Sequence, residues 1–419
     1  MLVFLYNLLT WFYFTAIRLA ALFDEKASLW MKGRNGIFEK MERDFSKRQP
    51  EEKVVWMHCA SLGEFEQGRT LIEALKAERP EIRMLLTFFS PSGFEIRKNY
   101  DRVDWVFYLP ADTAGNARRF IEIVRPDLAI FVKYEFWYHF LLALKKREIP
   151  TYLIAANFRQ EQPFFRWYGH LHRQMLGCFT RIFVQNEVSV SLLAEVTAIP
   201  VEVAGDTRVD RVAEMARQPQ KLPLIEAFCK NHEVLVCGST WPEDEAHLFE
   251  ALSQPAFQHW KIIVAPHDVQ AARMQQIERK WKGSALRYSQ AGGENSATLE
   301  TTRMLLIDNV GMLARLYRFG RMAYVGGGFG AGIHNILEPV AYGLPVIFGP
   351  KYHKFEEAKF LLKSGGGFTI RDSRELEDVL QKLSNPASYK KAVQQAGTFI
   401  RDNQGATEKI MRTIRNSSF

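Results

Sequence analysis

Cysteine is scarce in this chain, and the few present do not form a disulfide framework. The 419 residues include four cysteines, Cys59, Cys178, Cys229 and Cys237, none in a CxxC pair and none clustered with histidine. Reduced thiols in a reducing compartment are the simplest explanation. The sequence therefore predicts a cytoplasmic catalytic body.

The sequence also lacks the patterns that are typical of nucleic-acid binding and of metal binding. There is no dense run of lysine and arginine and no interleaving of aromatic with basic residues, so we expect no nucleic-acid partner. No Asp-x-Asp sequence follows an expected strand, which favours a reaction without a metal ion or other cofactor. The formal net charge of +8 suits an anionic partner such as acidic lipid or a phosphorylated substrate. A merely basic surface is the alternative.

An apolar segment opens the chain, and three interpretations of it stay open. Residues 1–23, MLVFLYNLLTWFYFTAIRLAALF, are long enough to cross a bilayer. The run lacks a basic start and is too long for a cleaved signal peptide. Its aromatic residues at 11–14 equally suit a helix lying in the membrane surface, and a buried helix of the first domain is the third interpretation. Lysines and arginines in 24–48 place the rest of the chain on the cytoplasmic side.

Short apolar runs separated by sequence of helical period predict two doubly wound α/β domains. Near-continuous apolar strands are typical of parallel sheets that helices cover on both faces. The expected strands are 53–58, 83–89, 105–110, 128–133, 151–156, 181–186 and 201–205 in the first half, and 233–238, 261–266, 304–308, 322–327 and 345–349 in the second.

These runs divide the chain into four parts. We expect a membrane anchor over 1–23, a first Rossmann-like domain over 24–205, a linker over 206–223, and a second Rossmann-like domain over 224–419 that ends in helices. Two such domains are expected to face a central ligand cleft at the carboxyl ends of their strands.

A glycine-rich stretch in the second half predicts a nucleotide-sugar site. The run YVGGGFGAGIHNILEPVAYGLPVIFGP (324–350) lies between an expected strand and a helix expected from about Asn335. Its first glycines are Gly326, Gly327, Gly328, Gly330 and Gly332. Glycines let the backbone approach a phosphate, and a helix N-terminus attracts an anion. The spacing matches neither the GxGxxG fingerprint nor a P-loop, and Glu338 is expected to accept both hydroxyls of a ribose.

Three further loops end on the same edge of the second sheet. Ser239 and Thr240 are expected to hydrogen-bond a phosphate or a sugar, with capping of the next helix as the alternative. Pro266 and His267 are expected to frame a base or a phosphate, although a lone loop histidine is more often incidental. Gly311 lies in a third turn. The acidic residues at 243–245 are explained by the dipole of the helix that they begin.

In the first half, a carboxylate follows a buried strand. The stretch HCASLGEFEQG places Glu64 after Gly63, ahead of a helix expected from about Gln67. A helix N-terminus favours the ionised form of a nearby acid, so Glu64 is expected to accept a proton readily at neutral pH. Glu66 is expected to be the purely structural acid.

Taken in order, these segments resemble the 3-deoxy-D-manno-octulosonic acid (Kdo) transferases. HCASLGEFEQG, FVKYEFWY, GSTWPEDE, APHD, DNVGML and GGGFGAGIHNILEPVAYGLPVIFGP occur in that family's order, after a hydrophobic anchor and a basic KGRNG. The likeness covers essentially the whole chain. It implies the GT-B fold, a CMP-Kdo donor and a lipid A precursor as acceptor. It also implies lipopolysaccharide biosynthesis on the cytoplasmic face of the inner membrane of a Gram-negative bacterium.

The resemblance implies roles for residues of both halves. Glu64 of the SxGE pattern is implied to be the general base of an inverting transfer. Glu135 of the ExW pattern is implied to lie near the acceptor pocket, and we expect Ser61 and Gly63 to contact the acceptor as well. His334, Asn335 and Glu338, with Gly327 and Gly328, are implied to belong to the CMP site.

Two basic residues that follow the apolar segment suit anionic groups. Lys32 and Arg34 are expected to contact the phosphates of the acceptor. Contact with the headgroups of anionic lipid is an equally good interpretation, and the two contacts are compatible.

The chain departs from the family pattern in four places. Ile333 stands where a glycine is usual, and Ile336 where a proline is usual. The usual PRH is replaced by APHD, without the arginine, and Trp241 stands where a histidine follows GST. These differences fit a divergent branch of the family.

Two alternative functions stay open at this stage. The first is a GT-B isomerase resembling UDP-N-acetylglucosamine 2-epimerase, which has no need of the apolar segment 1–23. The second is a membrane-tethered nucleotide-sugar-binding protein without catalysis, against which Glu64 counts.

Overall fold

The computed structural model describes residues 1–218, 220–292 and 296–417. It divides into two compact units, the first formed by Met1–Asp210 with 405–417 and the second by Arg211–Gln404. Each unit contains a seven-stranded sheet. Every pairing of neighbouring strands within the described residues is parallel. The predicted pair of doubly wound α/β domains is therefore confirmed.

The first sheet has the strand order β3-β2-β1-β4-β5-β6-β7. Its strands are β1 (Val54–Cys59), β2 (Arg83–Phe88), β3 (Trp105–Tyr108), β4 (Leu128–Val132), β5 (Thr151–Ala156), β6 (Arg181–Val184) and β7 (Val201–Val203). The helices of this unit are α1 (Leu2–Ala20), α2 (Glu25–Arg34), α3 (Ile37–Phe45), α4 (Leu62–Glu78), α5 (Pro91–Arg97), α6 (Ala114–Val124), α7 (Tyr138–Lys146), α8 (His170–Leu176) and α9 (Glu187–Ala194). Helix α10 (Thr207–Arg217) crosses from the first unit into the second.

Both faces of the first sheet are buried, as its continuous apolar strands require. Val54 and Trp56 belong to one hydrophobic cluster, whereas Val55 and Met57 belong to another. Because successive side chains of a strand point to opposite faces, the two clusters lie on the two sides of the sheet. Helices on each side exclude water from both clusters.

Helix α1 lies on the first unit and leaves most of its apolar surface exposed. The Tyr6 hydroxyl donates to the Asp112 carboxylate at 2.5 Å, and Asn7 Oδ1 lies 2.7 Å from His139 Nε2. Phe14, the buried residue of the helix, stacks on Trp30. The helix is long and apolar enough to cross a membrane by its length and composition. Only 6% of its most apolar window is buried, so α1 is not a core helix.

The second sheet has the order β10-β11-β9-β8-β12-β13-β14. Its strands are β8 (Val234–Thr240), β9 (Lys261–Pro266), β10 (Ala285–Arg287), β11 (Met304–Leu306), β12 (Met322–Val325), β13 (Val346–Phe348) and β14 (Gly367–Thr369). The helices are α11 (Pro223–Cys229), α12 (Pro242–Leu252), α13 (Ala271–Lys280), α14 (Tyr288–Ala291), α15 (Ser296–Thr301), α16 (Leu313–Leu316), α17 (Leu337–Ala341), α18 (Glu356–Ser364), α19 (Ser373–Ser384) and α20 (Pro386–Asn403).

The structure adds two strands that the sequence did not predict. Both β10 and β14 have three residues and form the two edges of the second sheet. A three-residue strand is too short to show an alternating or a continuous apolar pattern, so its neighbours decide its conformation.

The last helix, α21 (Ala406–Arg415), belongs to the first unit although the sequence placed all of 224–419 in the second domain. Its buried Ile410, Met411 and Ile414 join the cluster on the α4 side of the first sheet. The Asp210 carboxylate accepts from the backbone N–H groups of Gly405 and Thr407, both at 2.6 Å. The chain thus crosses between the units twice, and α10 occupies most of the expected linker at 206–223.

Each sheet has a switch point, a pair of neighbouring strands from which the chain continues to opposite sides, and the candidate site residues follow these strands. In the first sheet the order reverses between β1 and β4, and in the second between β8 and β12. The loops that leave the carboxyl ends of the two strands run to opposite sides of the sheet and open a crevice there. Glu64 and Glu135 follow β1 and β4, whereas Trp241 and the glycine-rich stretch follow β8 and β12.

Replacing Ile410 tests the position of α21. The side chain is fully buried, so Ile410→Ala is expected to lower the free energy of unfolding by about 2–5 kcal/mol. Hydrogen exchange is expected to quicken in β1–β7 and not in β8–β14. Ile96→Ala, at an exposed position, is the matched control and is expected to change stability by less than about 0.5 kcal/mol. Faster exchange confined to the second sheet would contradict the placement.

Candidate active site

Glu64 lies inside the first turn of α4 and not in the turn before it. The helix begins at Leu62, five residues earlier than expected, with Ser61 as its N-cap and Gly63 exposed. Glu64 Oε2 accepts a hydrogen bond from the backbone N–H of Ala60 at 2.5 Å. The carboxylate therefore bends back over the helix start, toward the end of β1.

Burial outweighs the helix N-terminus in setting the acidity of Glu64. Desolvation, followed by the negative charge of Glu135, raises the pKa of Glu64 to about 7. The hydrogen bonds from Ala60 and Ser61 and the charge of Lys133 lower this pKa, but by less than burial and Glu135 raise it. The expectation that the helix would hold Glu64 ionised is thus wrong in sign, because a half-buried carboxylate loses more hydration than the helix end returns.

A chain of buried hydrogen bonds holds Glu135. Its Oε2 lies 2.9 Å from His58 Nε2 and accepts from Trp137 Nε1 at 2.8 Å. His58 Nδ1 lies 2.8 Å from Thr87 Oγ1, which also accepts from Trp56 Nε1. Trp137 Nε1 also lies 3.1 Å from His58 Nε2, so the indole N–H faces both the imidazole and the carboxylate. The sequence reasoning missed His58, whose signal is a polar residue near the carboxyl end of an apolar strand.

Of the two basic residues assigned to acceptor phosphates, one conflicts with that assignment. The Arg34 guanidinium donates to three backbone carbonyls, those of Leu109 at 2.8 Å, Phe89 at 2.9 Å and Trp30 at 3.1 Å. It also lies over the Trp30 ring. These contacts fix α2 to the sheet, so Arg34 is structural here. Lys32 is exposed and stays a predicted contact.

Four of the first five glycines of the glycine-rich stretch have N–H groups that are engaged within the fold. The N–H of Gly326 donates to Gly238, that of Gly327 to Asp244, and those of Gly330 and Gly332 both to the Gly327 carbonyl. Helix α17, which follows, has five residues and begins at Leu337, not near Asn335. The loop backbone therefore has fewer free N–H groups than the sequence suggested, and the role of the stretch in binding an anion stays a prediction.

Instead, the glycines allow two backbone segments to pack closely. A Cβ on Gly328 would lie 2.6 Å from the backbone of Gly349, and one on Gly326 would lie 2.4 Å from the Ser239 carbonyl. Gly327 has a φ of +90°, a conformation that favours glycine. The stretch is thus a packing element that brings β8, β12 and β13 together at their carboxyl ends.

Asp244, interpreted from the sequence as a dipole-satisfying acid, connects α12 to the glycine loop. One of its oxygens accepts from the backbone N–H groups of Trp241 and Gly327, both at 2.9 Å, and the other from the Tyr324 hydroxyl at 2.8 Å. The carboxylate is buried, and desolvation raises its pKa despite these three donors. It fixes the two loops of the switch point relative to each other.

Three aromatic rings stack beside this loop. Trp241 stacks on His267 with ring centroids 4.6 Å apart, and His267 stacks on His334 at 4.8 Å. The indole Nε1 of Trp241 donates to Nε2 of His334 at 3.1 Å. The three rings line a cavity of about 400 Å³ together with Phe329 and the glycine loop. The structure thus brings together the predicted His267, His334 and Gly327 with Trp241, which the sequence marked only as a departure.

The remaining loop residues differ in how they are placed. The Thr240 hydroxyl is buried and donates to Glu245 Oε1 at 3.0 Å, which conflicts with its expected contact to a phosphate or sugar. Ser239 is half-buried in the left-handed region, with φ +53°. Pro266 ends β9 beside Thr240. Gly311 is exposed, with φ +96°, and is not among the described residues that line the cavity.

Asn335 and Glu338 form a polar pair next to the stack. Asn335 Nδ2 donates to Glu338 Oε1 at 3.1 Å, and Asn335 Oδ1 accepts from the Leu337 N–H at 3.1 Å. Burial raises the pKa of Glu338, whereas Asn335 and the charge of Arg211 act to lower it. Asn335 thus orients the carboxylate that was expected to bind a ribose.

Replacing Asp244 tests its role in the second unit. Asp244→Ala leaves three donors without their acceptor, so we expect the free energy of unfolding to fall by about 3 kcal/mol. The neighbouring exposed acid Glu243 supplies the control, since Glu243→Ala is expected to change stability by less than about 0.5 kcal/mol. Urea unfolding of both variants measures the difference. Equal effects would mean that Asp244 serves only the helix dipole.

Comparisons with known proteins identify the family of this chain. Residues 34–211 match the family described as 3-Deoxy-D-manno-octulosonic-acid transferase (kdotransferase). The chain is 30% identical over 364 residues to the 3-deoxy-D-manno-octulosonic acid transferase of Aquifex aeolicus, covering 85% of this chain and 93% of that protein. It is 25% identical over 382 residues to the enzyme of the same name from Haemophilus influenzae, covering 87% of each.

Among solved structures, a UDP-GlcNAc 2-epimerase from Neisseria meningitidis bound to UDP-GlcNAc is similar with a TM-score of 0.61. The match covers 87% of this chain and all of that one at 14% identity, so it concerns the fold alone. The sequence relatives, in contrast, are named as transferases. With two parallel seven-stranded sheets of the GT-B type, this chain belongs to the Kdo transferase family of glycosyltransferases.

Proposed function

We propose that this glycosyltransferase moves Kdo from CMP-Kdo to a lipid A precursor (lipid IVA), with inversion at the anomeric carbon and without a metal ion. The reaction belongs to lipopolysaccharide biosynthesis. The observation that carries the proposal is Glu64, a carboxyl group at the switch point of the first sheet whose pKa is raised to about 7. A base that titrates near the working pH is well suited to accept a proton and then release it.

In the proposed reaction the acceptor hydroxyl attacks the anomeric carbon and loses its proton to Glu64. The bond between the anomeric carbon and the phosphate oxygen breaks, and CMP leaves with the bonding electrons. One carboxylate suffices for such an inversion, because the attacking and leaving groups lie on opposite faces of an oxocarbenium-like centre. A general base of this kind contributes a factor of about 10²–10⁴ to the rate.

Glu135 is the second acid that we assign to the acceptor side. His58 and Trp137 both hydrogen-bond to its Oε2, so its position is fixed before the acceptor arrives. Its charge also raises the pKa of Glu64. We therefore assign two effects to Glu135, orientation of the acceptor and adjustment of the base.

On the donor side, we assign CMP to the cavity lined by Trp241, His267 and His334. Glu338, oriented by Asn335, accepts the ribose hydroxyls. Because the N–H groups of four glycines are already engaged within the fold, we assign part of the charge on the departing phosphate to side chains that line the cavity. Preorganised donors of this kind act where charge develops in the transition state.

We further propose that α1 holds the protein at the cytoplasmic face of the inner membrane by lying in its surface. Tyr6, Asn7 and Phe14 contact the first unit along the length of the helix. A helix that crossed the bilayer would lose these contacts. The exposed face, which includes Leu9 and Phe12, suits insertion among lipid tails. Lys32 then suits the headgroups of anionic lipid or the phosphates of the acceptor.

Release of CMP tests the function as a whole. Purified protein given CMP-Kdo and lipid IVA is expected to release CMP in step with the appearance of Kdo-modified lipid. Epimerisation of UDP-N-acetylglucosamine in place of CMP release would favour the isomerase. CMP binding without release would favour a non-catalytic binding protein.

The base is tested by Glu64→Gln, which keeps the shape of the side chain and removes its basicity. We expect the transfer rate to fall by about 10²–10⁴-fold, while CMP binding measured by calorimetry is unchanged. Glu66→Gln, two residues along the same helix, removes an acid whose partner is Arg97 and is expected to keep a near-normal rate. Near-normal turnover of Glu64→Gln would show that another group is the base.

The pH dependence of the reaction tests the coupling of the two acids. Because Glu64 acts only when deprotonated, kcat/KM is expected to rise with pH to a midpoint near its pKa of about 7 and then level off. Glu135→Gln removes a negative charge that raises this pKa, so the midpoint is expected to move to lower pH. Glu66→Gln is expected to leave the midpoint in place. A midpoint unchanged by Glu135→Gln would show that the charge of Glu135 does not raise the pKa of Glu64.

A further inference from the structure

We propose that Trp241 is a positioning residue that fixes the tautomer of His334, so that the neutral imidazole presents its Nδ1–H to the phosphate of the donor. The inference rests on the donor site proposed above. It assigns a function to Trp241, which stands where the family pattern has histidine.

The hydrogen bond between the two rings determines the tautomer. An indole N–H only donates, so the atom that it reaches must carry a lone pair. Nε1 of Trp241 lies 3.1 Å from Nε2 of His334. Nε2 is therefore the unprotonated nitrogen, and in a neutral ring the proton is on Nδ1.

The ring of His334 is held in one orientation. It stacks on His267, which stacks in turn on Trp241, with interplanar angles of 27° and 20°. A Cβ on Gly327 would lie 2.9 Å from Cδ2 of His334 and 3.2 Å from its Nε2. The Cδ2–Nε2 edge thus faces the glycine loop, and Nδ1 lies on the opposite side of the ring.

His334 is neutral and its Nδ1 is available. Burial and the neighbouring His267 lower the pKa of His334 below its usual value, against the opposing charge of Asp244. Within the residues that the structure describes, no hydrogen bond engages Nδ1. The residue lines the cavity assigned to CMP.

A side-chain donor adds to what the loop backbone can offer a phosphate. The N–H groups of Gly326, Gly327, Gly330 and Gly332 all have acceptors within the unit. His334 supplies a further donor to a phosphate in the cavity. With the other tautomer, His334 would direct a lone pair at the phosphate and repel it.

The tautomer is measured by ¹⁵N–¹H correlation spectra of protein labelled at histidine, with His334 assigned from the spectrum of His334→Gln. The ligand-free protein is expected to show His334 protonated at Nδ1. In Trp241→Phe, which keeps a stacking ring but lacks the N–H, the proton is expected to move to Nε2. The KM for CMP-Kdo is expected to rise about tenfold, the effect of one hydrogen bond to a charged group, with kcat little changed.

Trp167→Phe, at an exposed position of the first unit, controls for loss of a tryptophan and is expected to change neither the tautomer nor the KM. A proton on Nε2 of His334 in the unsubstituted protein, or a tautomer unaffected by Trp241→Phe, overturns the inference. If CMP binding falls in His334→Gln but not in Trp241→Phe, Trp241 has no positioning role and the donor site stands. Normal CMP binding in both variants overturns the donor site itself and this inference with it.

Discussion

The reversal of strand order in each parallel sheet is the constraint on which both sites depend. A parallel sheet sends its connecting helices to either side, and only where the order reverses do neighbouring loops separate at the carboxyl edge. In the first unit this place lies between β1 and β4, which brings Glu64 and Glu135 within electrostatic range of each other. In the second unit it lies between β8 and β12, where Asp244 connects the two loops. The same topology thus holds an acid pair in one unit and an aromatic stack in the other.

Desolvation decides the chemistry of the acidic residues more than their place on a helix does. Glu64 and Asp244 both lie in the first turn of a helix, where the backbone favours a negative charge. Burial nevertheless raises the pKa of each. The two acids differ in their hydrogen bonds. Asp244 receives three hydrogen bonds within the fold, and these hold its carboxylate in place. Glu64 accepts from the Ala60 N–H and keeps a pKa near neutrality, which suits an acid that exchanges a proton.

Much of this fold could be predicted from the sequence, because a short apolar run indicates a buried parallel strand. Within the described residues, twelve of the fourteen strands coincide with predicted runs, and the two others, β10 and β14, are three-residue edges that their neighbours determine. What the sequence could not show is the direction in which side chains turn. From the sequence we expected Arg34 to be a surface charge, but its guanidinium donates to three backbone carbonyls. The sequence suggests a phosphate site in the glycine stretch but does not show its close packing, and the ring stack depends on residues from three loops.

The return of the last helix to the first unit has a consequence for biosynthesis. Ile410, Met411 and Ile414 belong to the cluster on one side of the first sheet, yet the ribosome adds them only after the whole of the second unit, Arg211–Gln404. An N-terminal domain ordinarily folds first as it emerges during synthesis. Here the first unit lacks one of its helices until the second unit has been made. The unit that carries Glu64 is thus begun before the second unit and completed after it.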